Sequence, residues 1–138
     1  MVPISKESGL GWTTLSVDDA AASAQDIRND VTNFNFSTPR GVQDWTGVDK
    51  SAIERGLLLA DFQINLNGAF NDAAGASHAV LKTVPSTSVQ RTVALGVSGQ
   101  TLNNECIFTD YALTRAQTGE LTWTAPGVLA NGAVPTWS

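Results

Sequence analysis

Apolar and polar residues alternate with a period of two along much of the chain. Helical spacing is scarce, so the pattern predicts a mainly β fold. Asp61 to Phe70 shows it most clearly: Phe62, Ile64, Leu66 and Phe70 fall on one face, Asp61, Gln63, Asn65 and Asn67 on the other. Successive side chains of a strand point to opposite sheet faces, so this strand has one buried and one wet side. Arg91 to Val97 alternates likewise, with Val93, Leu95 and Val97 together. Glu105 to Thr114 is apolar on both faces, the mark of a central or covered strand. Glu120 to Thr124 alternates again, with Gly119 at the turn before it. Trp12 to Val17 and Ile27 to Phe36 complete the strands, separated by a run of small residues.

Two short helical segments interrupt the pattern. Ser77 to Val84 opens on a serine in N-cap position and is stopped by Pro85. Ser51 and Glu54 have the spacing of a capping box. The segment from Ser37 to Leu57 is long for a hairpin connection and contains Pro39, Gly41, Trp45, Gly47 and Gly56. Long connections in compact domains are usually functional or disordered, and Trp45 and Val48 suggest that this one docks on something.

Composition narrows the function. The 138 residues fit one domain, and 42% apolar residues suffice for an ordinary core. Charged residues make up 15%, where about 25% is typical, as in a chain whose surface is partly hidden against partners. Thirteen acidic and eight basic residues give a net charge of −5, and the lysines are only Lys6, Lys50 and Lys82. Binding nucleic acid through its phosphates calls for clustered cations, so that class is disfavoured. A surface that nucleic acid slides past is not. No stretch reaches the ~20 apolar residues of a membrane span, and the first eleven residues lack the apolar core of a signal peptide. The expectation is a non-membrane chain made in the cytoplasm.

Candidate chemistry is sparse. With one histidine, His78, and one cysteine, Cys106, neither a disulfide nor a zinc cluster is expected. Asp18 with Asp19, and Asp26 with Asp30, could serve acid–base work, but read more simply as turn and strand polar residues. Nucleotide-binding glycine loops and a nucleophile elbow are missing, so no catalytic residue, metal or cofactor is assigned. The Asp61, Gln63, Asn65 and Asn67 face has two readings, an ordinary solvated strand face or the lining of an enclosed channel. Amides and one carboxylate offer hydrogen bonds but no fixed positive charge, so a phosphate backbone would pass without sticking.

The order of segments resembles the tail tube (major tail) protein family of long-tailed bacteriophages over nearly the whole chain. The residues that carry it are Asp44-Trp45-Thr46-Gly47, Ala52-Ile53-Glu54-Arg55, the strand Asp61 to Phe70, Ser77-His78, and the close from Thr118 to Trp137. The resemblance implies one domain over 1–138: a β-sandwich or partly rolled barrel with one flanking helix, a flexible N-terminal arm over 1–11 and a long inter-ring loop over 37–57. It implies hexameric rings stacked into a virion tube that carries DNA and tape-measure protein, with terminator and baseplate proteins as further partners. Asp61, Gln63, Asn65 and Asn67 would line the channel. Arg40, Asp44, Trp45, Val48 and Lys50 would contact the next ring. Six chains at −5 each carry −30, which repels DNA wherever it faces the channel. The alternatives are the tube of a contractile injection or type VI secretion system, and a monomeric β-sandwich that binds ligand through Trp12, Trp45, Trp123 or Trp137. A hydrolase built on the aspartate pairs is a third.

Overall fold

The computed structural model describes residues 6–138, so residues 1–5 of the expected N-terminal arm lie outside the described part. The rest of the arm contains a 3-10 turn, Gly9–Gly11, capped by Ser8, whose Oγ accepts from the Leu10 N–H at 3.2 Å. Ten strands and one helix follow: β1 (Trp12–Asp18), β2 (Ala24–Asp26), β3 (Val31–Ser37), β4 (Arg40–Asp44), β5 (Arg55–Ala60), β6 (Gln63–Ala69), α1 (Ser77–Leu81), β7 (Arg91–Val97), β8 (Gln100–Phe108), β9 (Ala112–Arg115) and β10 (Leu121–Leu129). Eight strands form one antiparallel sheet in the order β2-β1-β7-β8-β10-β6-β3, with β9 also paired to β10. β4 and β5 form a separate two-stranded ribbon.

The large sheet rolls up without closing. Trp12 of β1 meets Phe34 of the edge strand β3 edge-on, with ring centres 4.9 Å apart, and lies 6.0 Å from Phe36. No ladder joins β1 to β3 among the described residues, so side chains alone close this seam. Inside the roll lie Leu15, Val17, Phe62, Ile64, Leu66, Val93, Leu95, Leu102, Cys106, Trp123 and Ala125, all buried. The result is the expected mainly β class with one short flanking helix.

Each mouth of the roll has its own cover. At one end α1 contributes Val80 and Leu81 to the core. Its first turn is held by Asp30, a buried carboxylate whose Oδ2 accepts the Ser77 N–H at 2.9 Å and whose Oδ1 accepts from Asn71 Nδ2 at 2.9 Å. Ser77 is therefore not the N-cap the sequence suggested; Ala76 occupies that position without a side-chain bond, and Asp30 supplies the acceptor from a distance. The far end of α1 is tied down by Arg91, whose buried guanidinium donates to the carbonyls of Val80 and Asp18, both at 2.9 Å, and to Thr83 Oγ1 at 2.6 Å. At the other mouth the C-terminal segment crosses back to β8. Ser138 exchanges backbone hydrogen bonds with Thr101 at 2.8 and 2.9 Å, and Trp137 packs 6.1 Å from Phe36.

Several expected elements differ. The helix expected over Ser77 to Val84 ends at Leu81, where 82–86 continue as turns, and the strand expected over Glu120 to Thr124 runs on to Leu129 as β10. The strand expected over Glu105 to Thr114 is two, β8 and β9, because an irregularity at Thr109 to Tyr111 shifts their register on β10 by one residue. The strand expected from Ile27 starts only at Val31, since 28–30 form a turn. The segment over 37–57 is not one loop: it holds β4 and the start of β5, joined by an irregular end loop over 45–54, and Ser51 to Glu54 makes no helical turn. The Glu54 N–H instead donates to Thr46 Oγ1 at 2.8 Å, closing the ribbon's end loop across its base.

Candidate functional site

Two surfaces stand out, the outward face of the sheet and the β4–β5 ribbon. Ile64, Leu66 and Gly68 point into the roll, so Gln63, Asn65 and Asn67 of β6 face outward, as the alternation required. Asp61, just before the strand, lies beside Gln63 with its Oδ1 accepting its neighbour's Phe62 N–H at 2.8 Å. The register extends the face sideways. On β3, Asn33, Asn35 and Ser37 sit opposite Asn67, Asn65 and Gln63. On β10, Thr124, Pro126 and Val128 sit opposite the same three residues, and Thr124 Oγ1 donates to Asn67 Oδ1 at 2.8 Å. Asn103 and Glu105 of β8, Thr92 of β7 and Ser16 of β1 continue it. Among the described residues the one exposed cation in the strands of this sheet is Arg115 at the end of β9, and its register opposite Leu121 puts it on the Trp123 side rather than the outward side. Arg91, the one cation in its central strands, points inward and is 1% exposed.

This arrangement was only partly foreseeable. Alternation places the β6 residues on one face, but the asparagines of β3 join them only because β3 pairs with β6 across a sequence gap that contains the whole ribbon. The face is thus mainly amides and hydroxyls with carboxylates, interrupted by Pro126, Val128 and Ile107, and without a cation. It offers hydrogen bonds to water and nothing that would hold a phosphate.

The second surface is the β4–β5 ribbon. Its exposed apolar residues are Val42, Trp45, Val48, Ile53, Leu57, Leu58 and Leu59, with Leu59 at 90% and Val48 at the tip fully open. An isolated two-stranded ribbon is marginal in water at best. Local bonds hold this one. Arg40 reaches across to donate from Nε and Nη2 to the Leu58 carbonyl at 3.0 and 2.7 Å. Asp44 Oδ1 accepts from the Thr46 N–H at 3.0 Å and Thr46 Oγ1 at 2.6 Å, and these bonds hold its carboxyl below the ordinary carboxylate range. The Trp45 ring lies against Gly56 so closely that a Cβ there would overlap it. Of the residues expected to contact a neighbouring ring, Arg40 and Asp44 are engaged in building the ribbon, and Trp45 covers Gly56 while staying half exposed. Val48 and Lys50 are free at the tip, Lys50 pairing only with the adjacent Asp49 at 3.6 Å. At the ribbon's base Arg40, Gly41, Leu57, Leu58, Ala60 and Val134 border an apolar groove of about 800 Å³.

The remaining chemical candidates are absorbed by structure. Asp30 holds α1, Asp26 pairs with Arg28 at 3.1 Å, and Asp19 accepts from the Ala21 and Ser23 N–H groups within its own turn. Neither aspartate pair forms a cleft. Cys106 is buried and its thiol is pushed up to about 12 by desolvation, with Glu105 adding to the shift. His78 Nδ1 lies 3.0 Å from the Tyr111 hydroxyl and its ring stacks near Phe70. No group of three or more potential metal ligands occurs among the described residues. Trp12 and Trp123 belong to the interior, Trp123 donating from Nε1 to the Ala69 carbonyl at 2.9 Å.

No protein-family model and no curated protein sequence matches the chain. Solved structures do. A chain in the tail of an empty gene transfer agent particle, determined by helical refinement with C6 symmetry, superposes with a TM-score of 0.70 at 17% identity, over 96% of this chain and 98% of that one. A chain in the virion of the native gene transfer agent particle gives a TM-score of 0.70 at 15% identity, over 95% and 99%. The likeness is one of fold, and it spans both chains almost end to end.

Proposed function

We propose that this chain is a structural subunit of a phage-like tail, which assembles into stacked hexameric rings around a channel for DNA and tape-measure protein. The observation that carries this reading is the cation-free outward face of the rolled sheet. An ordinary solvated sheet face mixes charges of both signs. A face of amides and hydroxyls with only carboxylates for charge suits a surface along which a polyanion must move without binding. The fold shared with the gene transfer agent tail chains supports the same reading. Copies of β2 and β3, the two open edges, would be paired by neighbours within a ring, since unpaired edges invite strand addition. The ribbon, with Val48 and Lys50 at its tip, would reach the adjacent ring. Such a contact joins unlike surfaces and propagates as a filament. Terminator, baseplate and tape-measure proteins would be the further partners, the virion tail the location, and no step requires catalysis.

Negative-stain electron microscopy of the purified protein over a concentration series, with mass by light scattering, tests the reading. Six-membered rings or hollow rods are the expected result. Particles of another symmetry, or compact dimers without a channel, would overturn it. A strict monomer that binds glycans would favour a ligand-binding module instead.

A further inference from the structure

Two asparagines in the chain precede glycine, Asn67-Gly68 and Asn131-Gly132, and the fold treats them in opposite ways. Glycine after asparagine leaves the backbone nitrogen uncrowded, so that it can reach the side-chain carbonyl carbon. In β6 that approach is blocked. Gly68 is locked between Val31 and Trp123, and an added Cβ would meet the Asp30 carbonyl and the Trp123 ring. At the end of β10 nothing blocks it. Asn131 and Gly132 are both exposed, and Gly132 has a left-handed φ of +74° with open space around it. The Asn131 Oδ1 accepts the Ala133 N–H at 3.0 Å, which folds the side chain over the Gly132 peptide and polarises its carbonyl. The Gly132 N–H makes no hydrogen bond among the described residues.

We propose that Asn131 is a self-modifying site that deamidates in the folded protein while Asn67 is protected. The Gly132 backbone nitrogen forms a bond to Asn131 Cγ and gives up its proton, the Cγ–Nδ2 bond breaks and the side-chain nitrogen leaves with that proton as ammonia, and water opens the resulting succinimide at either carbonyl. The products are aspartate or isoaspartate; one water is consumed, one ammonia is released, and nothing is oxidised. Position gives the change a consequence. Asn131 shares a shallow groove with Glu105, so the new carboxylate arises beside an existing one. Residue 131 also begins the segment that ties Ser138 to Thr101 and lays Trp137 on Phe36. An isoaspartate lengthens the backbone by one methylene there, so the C-terminal strap over the mouth of the roll loosens. This inference is independent of the tail reading.

The test is a time course of the full-length folded protein at mildly alkaline pH, followed by peptide mass mapping and by methyl transfer from an isoaspartyl methyltransferase. Asn131 is expected to convert while Asn67 stays intact; in denaturant both convert, which shows that the fold makes the difference. Asn131→Gln, which retains an amide, is expected to abolish conversion in that peptide. Conversion of Asn67 as fast as Asn131 in the folded protein would overturn the proposal. So would an inert Asn131 in the folded chain alongside a reactive peptide of the same sequence. Amide exchange at Thr101 and Ser138 is expected to quicken in the aged fraction, and unchanged exchange would remove the link to the strap.

Discussion

At the residue scale, positions divide sharply between interior and surface. Leu66 is fully buried between the β3 and β10 neighbours of its strand, and Leu66→Ala is expected to cost ~2–5 kcal/mol, the usual price of a large cavity in a packed core. Urea unfolding of the variant measures it; a loss under ~1 kcal/mol would show that the inward face of β6 is not core. Cys106 makes a second case. Burial raises its thiol to about 12, so the native protein holds the proton that an unfolded chain releases near the ordinary thiol value of about 8.5. The contribution to stability is therefore complete below that ordinary value and is lost as pH rises toward the folded one. A thiol-alkylating reagent at neutral pH should leave Cys106 unlabelled until denaturant is added. Rapid labelling of the native protein would place the sulfur at an opening rather than in the core.

At the scale of elements, the ribbon and β10 show how local chemistry is bent to a larger design. Pro126 lies in the middle of β10, with β6 on one side, where a proline is normally excluded. Its carbonyl accepts the Thr109 N–H at 3.1 Å, so its missing N–H faces the irregularity between β8 and β9, where the ladder is already broken. The ribbon carries apolar residues outward on its exposed strands, which a free-standing element cannot justify by its own stability. Val48→Asp alters only the open tip. It is expected to leave the unfolding transition within ~0.5 kcal/mol of the parent while abolishing long rods in the microscope. Rods of parental length would remove the tip from any interface. Trp45→Asp is a poorer probe, because it also uncovers Gly56. Asp44 adds a pH dependence. Its lowered carboxyl stabilises the end loop above the ordinary carboxylate value and loses that contribution as pH falls through the folded value, so the protection of the Thr46 amide, measured relative to its intrinsic exchange rate at each pH, should fall as the carboxyl protonates.

At the scale of the whole molecule, the question is what the polar face meets. Asn35 and Gln63 are exposed on adjacent strands, so Asn35→Lys with Gln63→Lys adds two cations to the face without touching the core. Assembled parent protein is expected to retain no duplex DNA at physiological salt. The double variant is expected to retain it, with binding that falls steeply as salt rises. Equal retention by both would show that this face does not border a channel open to DNA.

The sequence alone settled the β6 alternation and the β7 span residue for residue, because each depends on neighbours two positions apart, and it located a short helix at Ser77 though not its cap or its end. It also placed Gln63, Asn65 and Asn67 on one side of one strand, with Asp61 just ahead of it. Long-range pairing decided the rest. That Asn33 and Asn35 extend this face depends on β3 lying beside β6, and that β4 and β5 form a ribbon depends on Arg40 and Val42 finding Ala60 and Leu57. That Asp30 serves α1 depends on contacts 41 and 47 residues away in the chain. A strand's period tells which side chains share a face. Which strands share a sheet is set by the packing of the whole roll, and no local pattern records it.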